Sequence, residues 1–582
     1  MSDILNKVWE LTVEILTSKV PNQIPSQVAG RVAKCLNERL KDGDVTDEEI
    51  RRWVIRKIDA IKSKLDGLAR KDLLSSLCFL QEGINRLFRS LPARENTEGL
   101  SAERVTLDIA TPSTATGRDS TTNEAIALIN DFTLFKICSN ERFKSAIESF
   151  KLAREKATEA FCNEGLSVED RIQASKIRIL SRILESLDDP DASVGDCLQY
   201  LEQLHEIGAI PEMFSVLISG GIKAQFKQAK RLDNISSVQV MNQILFNFAR
   251  NFMEVPTRTF DWPTILHGKE IYHPILKDFR LVDKLEESGV EVKQAYPDLT
   301  FDSRIYRALS AVNSEGQIVA HMLEESTIKS FKASGESRKV CGVPAKESLC
   351  ECHVMALDID AKDNIYFILR FQETDEEFWS FKLFMFDGNG NKKLESPLPF
   401  LQHICLKAAY MTINKDGDIA ILDCEKKILY IGRAQIELNS FIVSNRFYVT
   451  ELFTTESTWL NLRFSLNGKN LIAADERTVY IFAKNGKLQQ NIKIFEDKGD
   501  EFIYSVAINH ITKCIMIKTW SLTLGYRLLS FFETGKQINS LYLGPNKWIE
   551  YAKLISHPNG PAALVNDTGA CIMKMVKGMN FD

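Results

Sequence analysis

Short apolar runs and polar turns alternate along residues 301–582, and the alternation repeats six times. The turns read Val312-Asn313-Ser314-Glu315-Gly316, Ile359-Asp360-Ala361-Lys362-Asp363, Ile413-Asn414-Lys415-Asp416-Gly417, Phe464-Ser465-Leu466-Asn467-Gly468, Ile508-Asn509-His510-Ile511-Thr512 and Ile555-Ser556-His557-Pro558-Asn559-Gly560. Asn, Asp or Ser opens each turn, where its side chain can cap the backbone two residues on, and Gly or Asn supplies positive φ near several turn ends. A second apolar strand follows in every copy, such as Ile365-Tyr366-Phe367 or Ile419-Ala420-Ile421, and then a third, such as Leu383 to Phe386 or Val479 to Phe482. A unit of roughly 45 to 50 residues built this way predicts a six-bladed β-propeller, in which each blade buries its faces against its neighbours. Two copies carry insertions, Gln372 to Trp379 and roughly Thr519 to Gly525.

The first half of the chain has helical periodicity instead. A capping box at Thr46 and Glu49 opens a helix with apolar positions at Val54, Ile58, Ile61, Leu65 and Leu68, and a second run follows at Leu77, Leu80, Ile84, Leu87 and Leu91. Each run covers about two heptads, too few for a coiled coil, and predicts a compact hairpin in a bundle. Residues 1–91 are therefore an N-terminal helical domain that can also self-associate. Residues 92–122, with Pro92, Gly99, Pro112, Gly117 and many Thr and Ser, have the composition of a flexible linker. Residues 123–255 form an α-helical hairpin array with tetratricopeptide-like alternation of bulky and small contacts, as at Phe143, Ile147, Phe150, Ala153 and Ala157. Residues 256–300 are a connecting segment expected to dock the helical half onto the propeller of residues 301–582. The fold class is multidomain, α-helical followed by all-β.

The propeller repeat resembles the NHL repeat of tripartite-motif-like proteins and of invertebrate proteins with helical N-termini. The resemblance rests on an apolar strand, an Asn/Asp-x-x-Gly turn, a second apolar strand closed by Asp (Asp423, Asp475, Asp567), and a third strand ending near Gly. Val479-Tyr480-Ile481-Phe482-Ala483-Lys484-Asn485-Gly486 and Ile328-Lys329-Ser330-Phe331-Lys332-Ala333-Ser334-Gly335 show that third strand most clearly. Ile511-Thr512 replaces the usual turn, and the second and fifth blades carry the insertions. The resemblance implies a scaffold or adaptor, in a ubiquitin or innate-immune pathway. The short C-x₂-C knuckle of a RING or B-box occurs nowhere in the chain.

Charge and composition narrow the classes. The formal net charge is −5 over 582 residues. Basic and acidic side chains nearly balance in the second half, which disfavours the phosphate neutralisation that drives nucleic-acid binding. An RNA-binding NHL propeller remains an alternative. The start of the chain lacks a basic segment followed by an apolar run, and no stretch approaches the roughly 20 apolar residues of a membrane span. The 12 cysteines are scattered rather than framed, so reduced thiols and a cytoplasmic location are expected.

Candidate chemistry is sparse. Cys341, Cys350, Cys352 and His353 have zinc-ligand residue types at the wrong spacing. Asp42-Gly43-Asp44 begins like a calcium loop but lacks the central Gly and the final Glu. A calcium-dependent lactonase- or esterase-like hydrolase, the second alternative, needs oxygen ligands where the innermost strands begin. Those stretches offer Asn461 and Glu550 beside Ala308, Met355, Ala409 and Ser505. No catalytic, metal or cofactor residues are therefore assigned. The best binding feature is the acidic and aromatic insertion containing Asp375, Glu376, Glu377 and Trp379, with Trp520 in the other insertion as a comparable anchor. The expectation is a non-enzymatic interaction protein whose propeller recognises a protein partner.

Overall fold

The computed structural model describes residues 47–62, 70–90, 141–187, 189–220, 222–252, 257–276, 278, 280–281, 285, 298–322, 324–332, 335–343, 349–373, 379–401, 409–423, 426–449, 461–495, 500–522, 525–543 and 547–573. The chain forms two compact units, Met1–Pro256 with Leu281–Val292, and Thr257–Arg280 with Lys293–Asp582.

The first unit is helical: α1 (Asp47–Lys62), α2 (Lys71–Ser90), α3 (Glu141–Cys162), α4 (Val168–Glu185), α5 (Pro190–His205), α6 (Ala209–Ser219), α7 (Ile222–Gln225) and α8 (Gln228–Phe252). The apolar stripe of α2, with Leu77, Leu80, Ile84 and Leu87 fully buried, packs against α3. Gly83 permits this approach, since a Cβ there would lie 2.6 Å from the Phe150 ring. Arg86 Nη1 adds hydrogen bonds to Ser145 Oγ (2.7 Å) and Ser149 Oγ (3.0 Å). Arg70 reaches Asp170 Oδ2 at 3.0 Å, and that carboxylate also accepts a hydrogen bond from Ser167, the N-cap of α4. Residues 92–122, which the sequence reads as a linker, lie outside the described residues; the helices on either side of them pack together in one body. The reason is physical: an amphipathic helix draws most of its stability from packing its apolar face, and the stripe of α2 finds that partner in α3. The last helix, α8, packs against α4, α5 and α6 together, which is bundle packing rather than a linear array of hairpins.

The second unit is a six-bladed β-propeller. Its blades are antiparallel sheets whose innermost strands are Ile305–Val312, Leu349–Ile359, Ala409–Ile413, Asn461–Phe464, Glu501–Asn509 and Lys553–Ser556. Each innermost strand lies beside the next and the sixth beside the first, so the ring is closed. Blade faces interlock through apolar clusters, as where Phe367 and Phe384 stack at 5.1 Å within the core shared by blades one and two.

Two contributions come from residues that precede the repeats. The outermost strand of blade six is Leu299–Thr300, which pairs with Ala570 and Gly569, so the ring is sealed by chain from its opposite end. The hairpin of Ile265–His267 and Glu270–Tyr272 extends blade five to six strands, with Glu270 and Ile271 parallel to Ser540 and Leu541. Phe260 and Trp262 are buried there, and Phe260 packs with Leu541 and Ile549. Residues 257–280, which the sequence places in a connector, therefore belong to the propeller's own body.

Candidate functional site at the channel mouth

In an antiparallel four-stranded blade the innermost and third strands run the same way, so both of its outward hairpins emerge on one face of the ring. On that face the six innermost hairpins converge around the central channel. Asn313, Asp360, Asn414 and Asn509 each accept two backbone N–H groups of their own turn through Oδ1, at 2.7 to 3.1 Å. Ser465 Oγ accepts from Asn470 N at 3.1 Å. In blade six the capping position falls one residue later than the sequence suggests, on His557, whose Nδ1 accepts from Asn559 N at 3.2 Å. With Nδ1 an acceptor, Nε2 carries the proton and points outward to Asp363 Oδ1 and the Asp360 carbonyl, each at 3.2 Å. Ser556 instead accepts from Ile508 N of blade five.

These turns are tied to one another around the mouth. Asp363 receives Ser314 Oγ of blade one (2.5 Å) and His557 of blade six. Asn414 Nδ2 donates to the Gly468 carbonyl of blade four at 2.9 Å, and Leu466 N donates to Glu533 of blade five at 2.6 Å. Burial acts to raise the Asp363 carboxyl, but the His557 and Ser314 hydrogen bonds outweigh it and the net shift is downward. A carboxylate depressed in the folded state stabilises above its unfolded value, about 3.9, and loses that contribution as the pH falls through the folded value. Asp363 has φ of 62°, which Asn also tolerates. Asp363→Asn is therefore expected to lower stability by about 1 kcal/mol at pH 7, a charge-assisted bond discounted for partial exposure. Denaturant midpoints measured between pH 7 and pH 3 check the sign: the gap to the parent should be constant down to about pH 4 and narrow below it. A gap that widens on acidification contradicts the assignment.

The open part of the channel, which communicates with solvent, is lined by residues of blades two to six, including Asp358, Lys415, Arg463, Ser465 and His510. Arg463 lies on the innermost strand of blade four, with Leu462 and Phe464 on either side turned into the blade core. Its Nη1 donates to the Leu462 carbonyl at 2.9 Å, and its buried Nε has no hydrogen-bond partner among the described residues. Asp358, on the innermost strand of blade two, accepts from Ile359 N (2.9 Å) and Ile413 N (3.2 Å). Burial pushes the Asp358 carboxyl up and pulls the Arg463 guanidinium down, and each charge opposes the shift of the other. Burial, then the neighbouring His557 and Lys415, bring His510 down to about 4, so it is neutral at pH 7.

The rim of the same face carries a distinctive hairpin on blade three, between strands Ile428–Gln435 and Ser440–Tyr448. Its tip exposes Ile436 by 52% and Leu438 by 66%, and Ile442 beside it by 43%. The hairpin is pinned to blade two: Glu395 N donates to Asn439 Oδ1 (2.8 Å), and Phe441 N donates to Ser396 Oγ (2.8 Å).

The residues singled out from sequence fall elsewhere. Asp375, Glu376 and Glu377 lie outside the described residues. Trp379 is taken into the core of blades two and three, 7% exposed, with the Arg370 guanidinium 4.2 Å above its ring. Trp520 is half-buried, stacked on Phe502 at 6.0 Å and packed against the blade-five core. Neither indole is presented as a surface anchor. Cys341 and Cys352 sit on facing blades, and burial pushes the Cys341 thiol up to about 12, keeping it protonated at neutral pH. Among the described residues no three His, Cys, Asp or Glu side chains converge as a metal set. Sequence reading does not single out Arg463 and Asp358, although a lone charge inside an apolar innermost strand, as in Asn461-Leu462-Arg463-Phe464, is a usable signal.

No family model matches the sequence, and no curated protein matches it. Solved structures with a similar architecture include a streptogramin B lyase, at 13% identity and TM-score 0.31, covering 47% of this chain and 85% of that one. Virginiamycin B lyase from Staphylococcus aureus is 10% identical with TM-score 0.30, over 47% of this chain and 95% of its own. A calcium-binding protein, regucalcin, from Agrobacterium tumefaciens is 13% identical with TM-score 0.26, over 46% and 87% of the respective chains. At such identity the likeness concerns the propeller architecture alone.

Proposed function

We propose that this chain is a non-enzymatic interaction protein whose propeller recognises a protein partner on the face where the hairpins emerge. The observation that carries the proposal is the blade-three hairpin, which holds Ile436 and Leu438 in water on a loop pinned to its neighbour. Apolar side chains fixed in solvent lose little conformational entropy on docking and gain the full benefit of desolvation, the behaviour of interface anchors. An apolar tip suits a protein surface better than a phosphate backbone, which favours this reading over RNA. The cationic Arg463 and Lys415 in the channel oppose the calcium that a lactonase-like hydrolase would hold there. The resemblance to tripartite-motif-like NHL proteins supports an adaptor role. The thiols of Cys78, Cys162, Cys197, Cys341, Cys352, Cys514 and Cys571 are free, in keeping with a reducing, cytosolic setting. No helix among the described residues is long and apolar enough to cross a membrane.

The test is quantitative capture from cell extract by the full chain and by the double variant Ile436→Asp, Leu438→Asp. A specific partner should be retained by the parent and fall at least about tenfold with the variant, since a pair of truncated anchors costs about 2 kcal/mol or more. The melting temperature should hardly change, because neither side chain is part of a core. Equal capture by both proteins sinks the proposal.

A further inference from the structure

We propose that the open part of the channel mouth is a binding site for a small oxyanion, a carboxylate or phosphate group, held by the Arg463 guanidinium with Lys415 at the rim. Arg463 has five N–H donors, and among the described residues its one hydrogen bond is that from Nη1 to the Leu462 carbonyl. Nε is buried with no hydrogen-bond partner among the described residues, and the side chain lines the cavity. A buried guanidinium N–H without an acceptor is costly, so a side chain that keeps this arrangement is one poised for an anion. A planar fork of donors suits a two-oxygen acceptor, the geometry that carboxylate and phosphate share.

The protein's own carboxylate does not fill that role. Asp358 lines the same cavity, but its two oxygens are engaged by Ile359 N of its own strand and by Ile413 N of blade three. It moderates the Arg463 charge through the field and leaves the donors open. Lys415 stands exposed in the innermost turn of blade three, between strands Ala409–Ile413 and Asp418–Asp423, on the same cavity and supplies a second positive charge. His510, neutral at pH 7, offers an N–H without adding charge. The occupant is therefore a compact oxyanion and not a metal ion, and this site is separate from the blade-three hairpin.

The experiment is calorimetric titration of the full chain with inorganic phosphate, sulfate and acetate, each against sodium chloride at matched ionic strength. The expected result is saturable one-to-one binding of at least one oxyanion, weakened at least tenfold by Arg463→Gln and several-fold by Lys415→Ala. Preference for acetate over phosphate assigns a carboxylate, and the reverse assigns a phosphate. Should Arg463→Gln fail to fold, Lys415→Ala, at an exposed position, decides alone. Absence of saturable binding by all three anions overturns the proposal. So does binding that Arg463→Gln, or Lys415→Ala where it decides alone, leaves unchanged, since that is an adventitious ion only.

Discussion

Lys518→Met is expected to destabilise the propeller by about 4 kcal/mol, the largest loss expected from a single side chain. Lys518, on the second strand of blade five, is fully buried, and its ammonium donates to the carbonyls of Ile549, Glu550 and Ala552. The Ile549 and Glu550 carbonyls belong to the five-residue helix Lys547–Tyr551 and Ala552 follows it; the Ile549 carbonyl also accepts from Ala552 N at 3.1 Å. The same ammonium lies 4.0 Å from the Tyr504 ring centre and 4.7 Å from that of Tyr526, so its charge is shared between carbonyl oxygens and aromatic faces. Methionine keeps the length and removes every side-chain donor, leaving the Glu550 and Ala552 carbonyls without the ammonium at about 1–3 kcal/mol each, while Ile549 keeps its Ala552 N–H. Equilibrium unfolding in urea measures the loss directly. A change below about 1 kcal/mol would mean that water enters and caps the helix in place of the ammonium, and Lys518 would not be what holds it.

Gly390→Ala is the second large loss, about 3 kcal/mol. Gly390 turns the third strand of blade two into its outermost strand with φ of +87°, and a Cβ there would lie 2.1 Å from the Val340 carbonyl oxygen of blade one. Left-handed backbone costs an alanine about 1–2 kcal/mol. The close approach then forces two blades apart, and overpacking of that kind adds roughly 1–3 kcal/mol. The obstacle is backbone, which cannot rotate away as a side chain would. Thermal and urea unfolding should agree, and a variant within about 1 kcal/mol of the parent would show that the blades yield at this seam.

The repeat itself is legible because its signals are local. Asn313, Asp360, Asn414 and Asn509 cap turns that need only residues two to four positions away, and alternating apolar residues name the strands between them. Where pairing is distant, no such signal exists. Leu299–Thr300 is a two-residue strand, and Ile265–His267 with Glu270–Tyr272 are three residues each, too short for periodicity to register. His557 escapes notice because an imidazole nitrogen replaces the usual carboxamide oxygen one residue later. The insertion holding Trp379 draws attention through its acidic neighbours, yet adjacency along the chain says nothing of side-chain direction, and the indole goes to the core. Arg463 and Asp358 lie on different blades, and only closure of the ring brings them to one cavity.

The seam in blade six bears on how the molecule is made. Its outermost strand pairs residues about 270 positions apart in the chain, Leu299 with Ala570. On a ribosome the helical unit and five blades emerge first, and Leu299–Thr300 waits through the synthesis of everything between. Until Gly569–Met573 appears, the faces of the first and last blades have no neighbour, and their apolar residues, Ile305 and Ile555 among them, remain in water. Vectorial synthesis thus ends in one late, long-range closure, the step at which a nascent chain of this design is most exposed to aggregation and to chaperones.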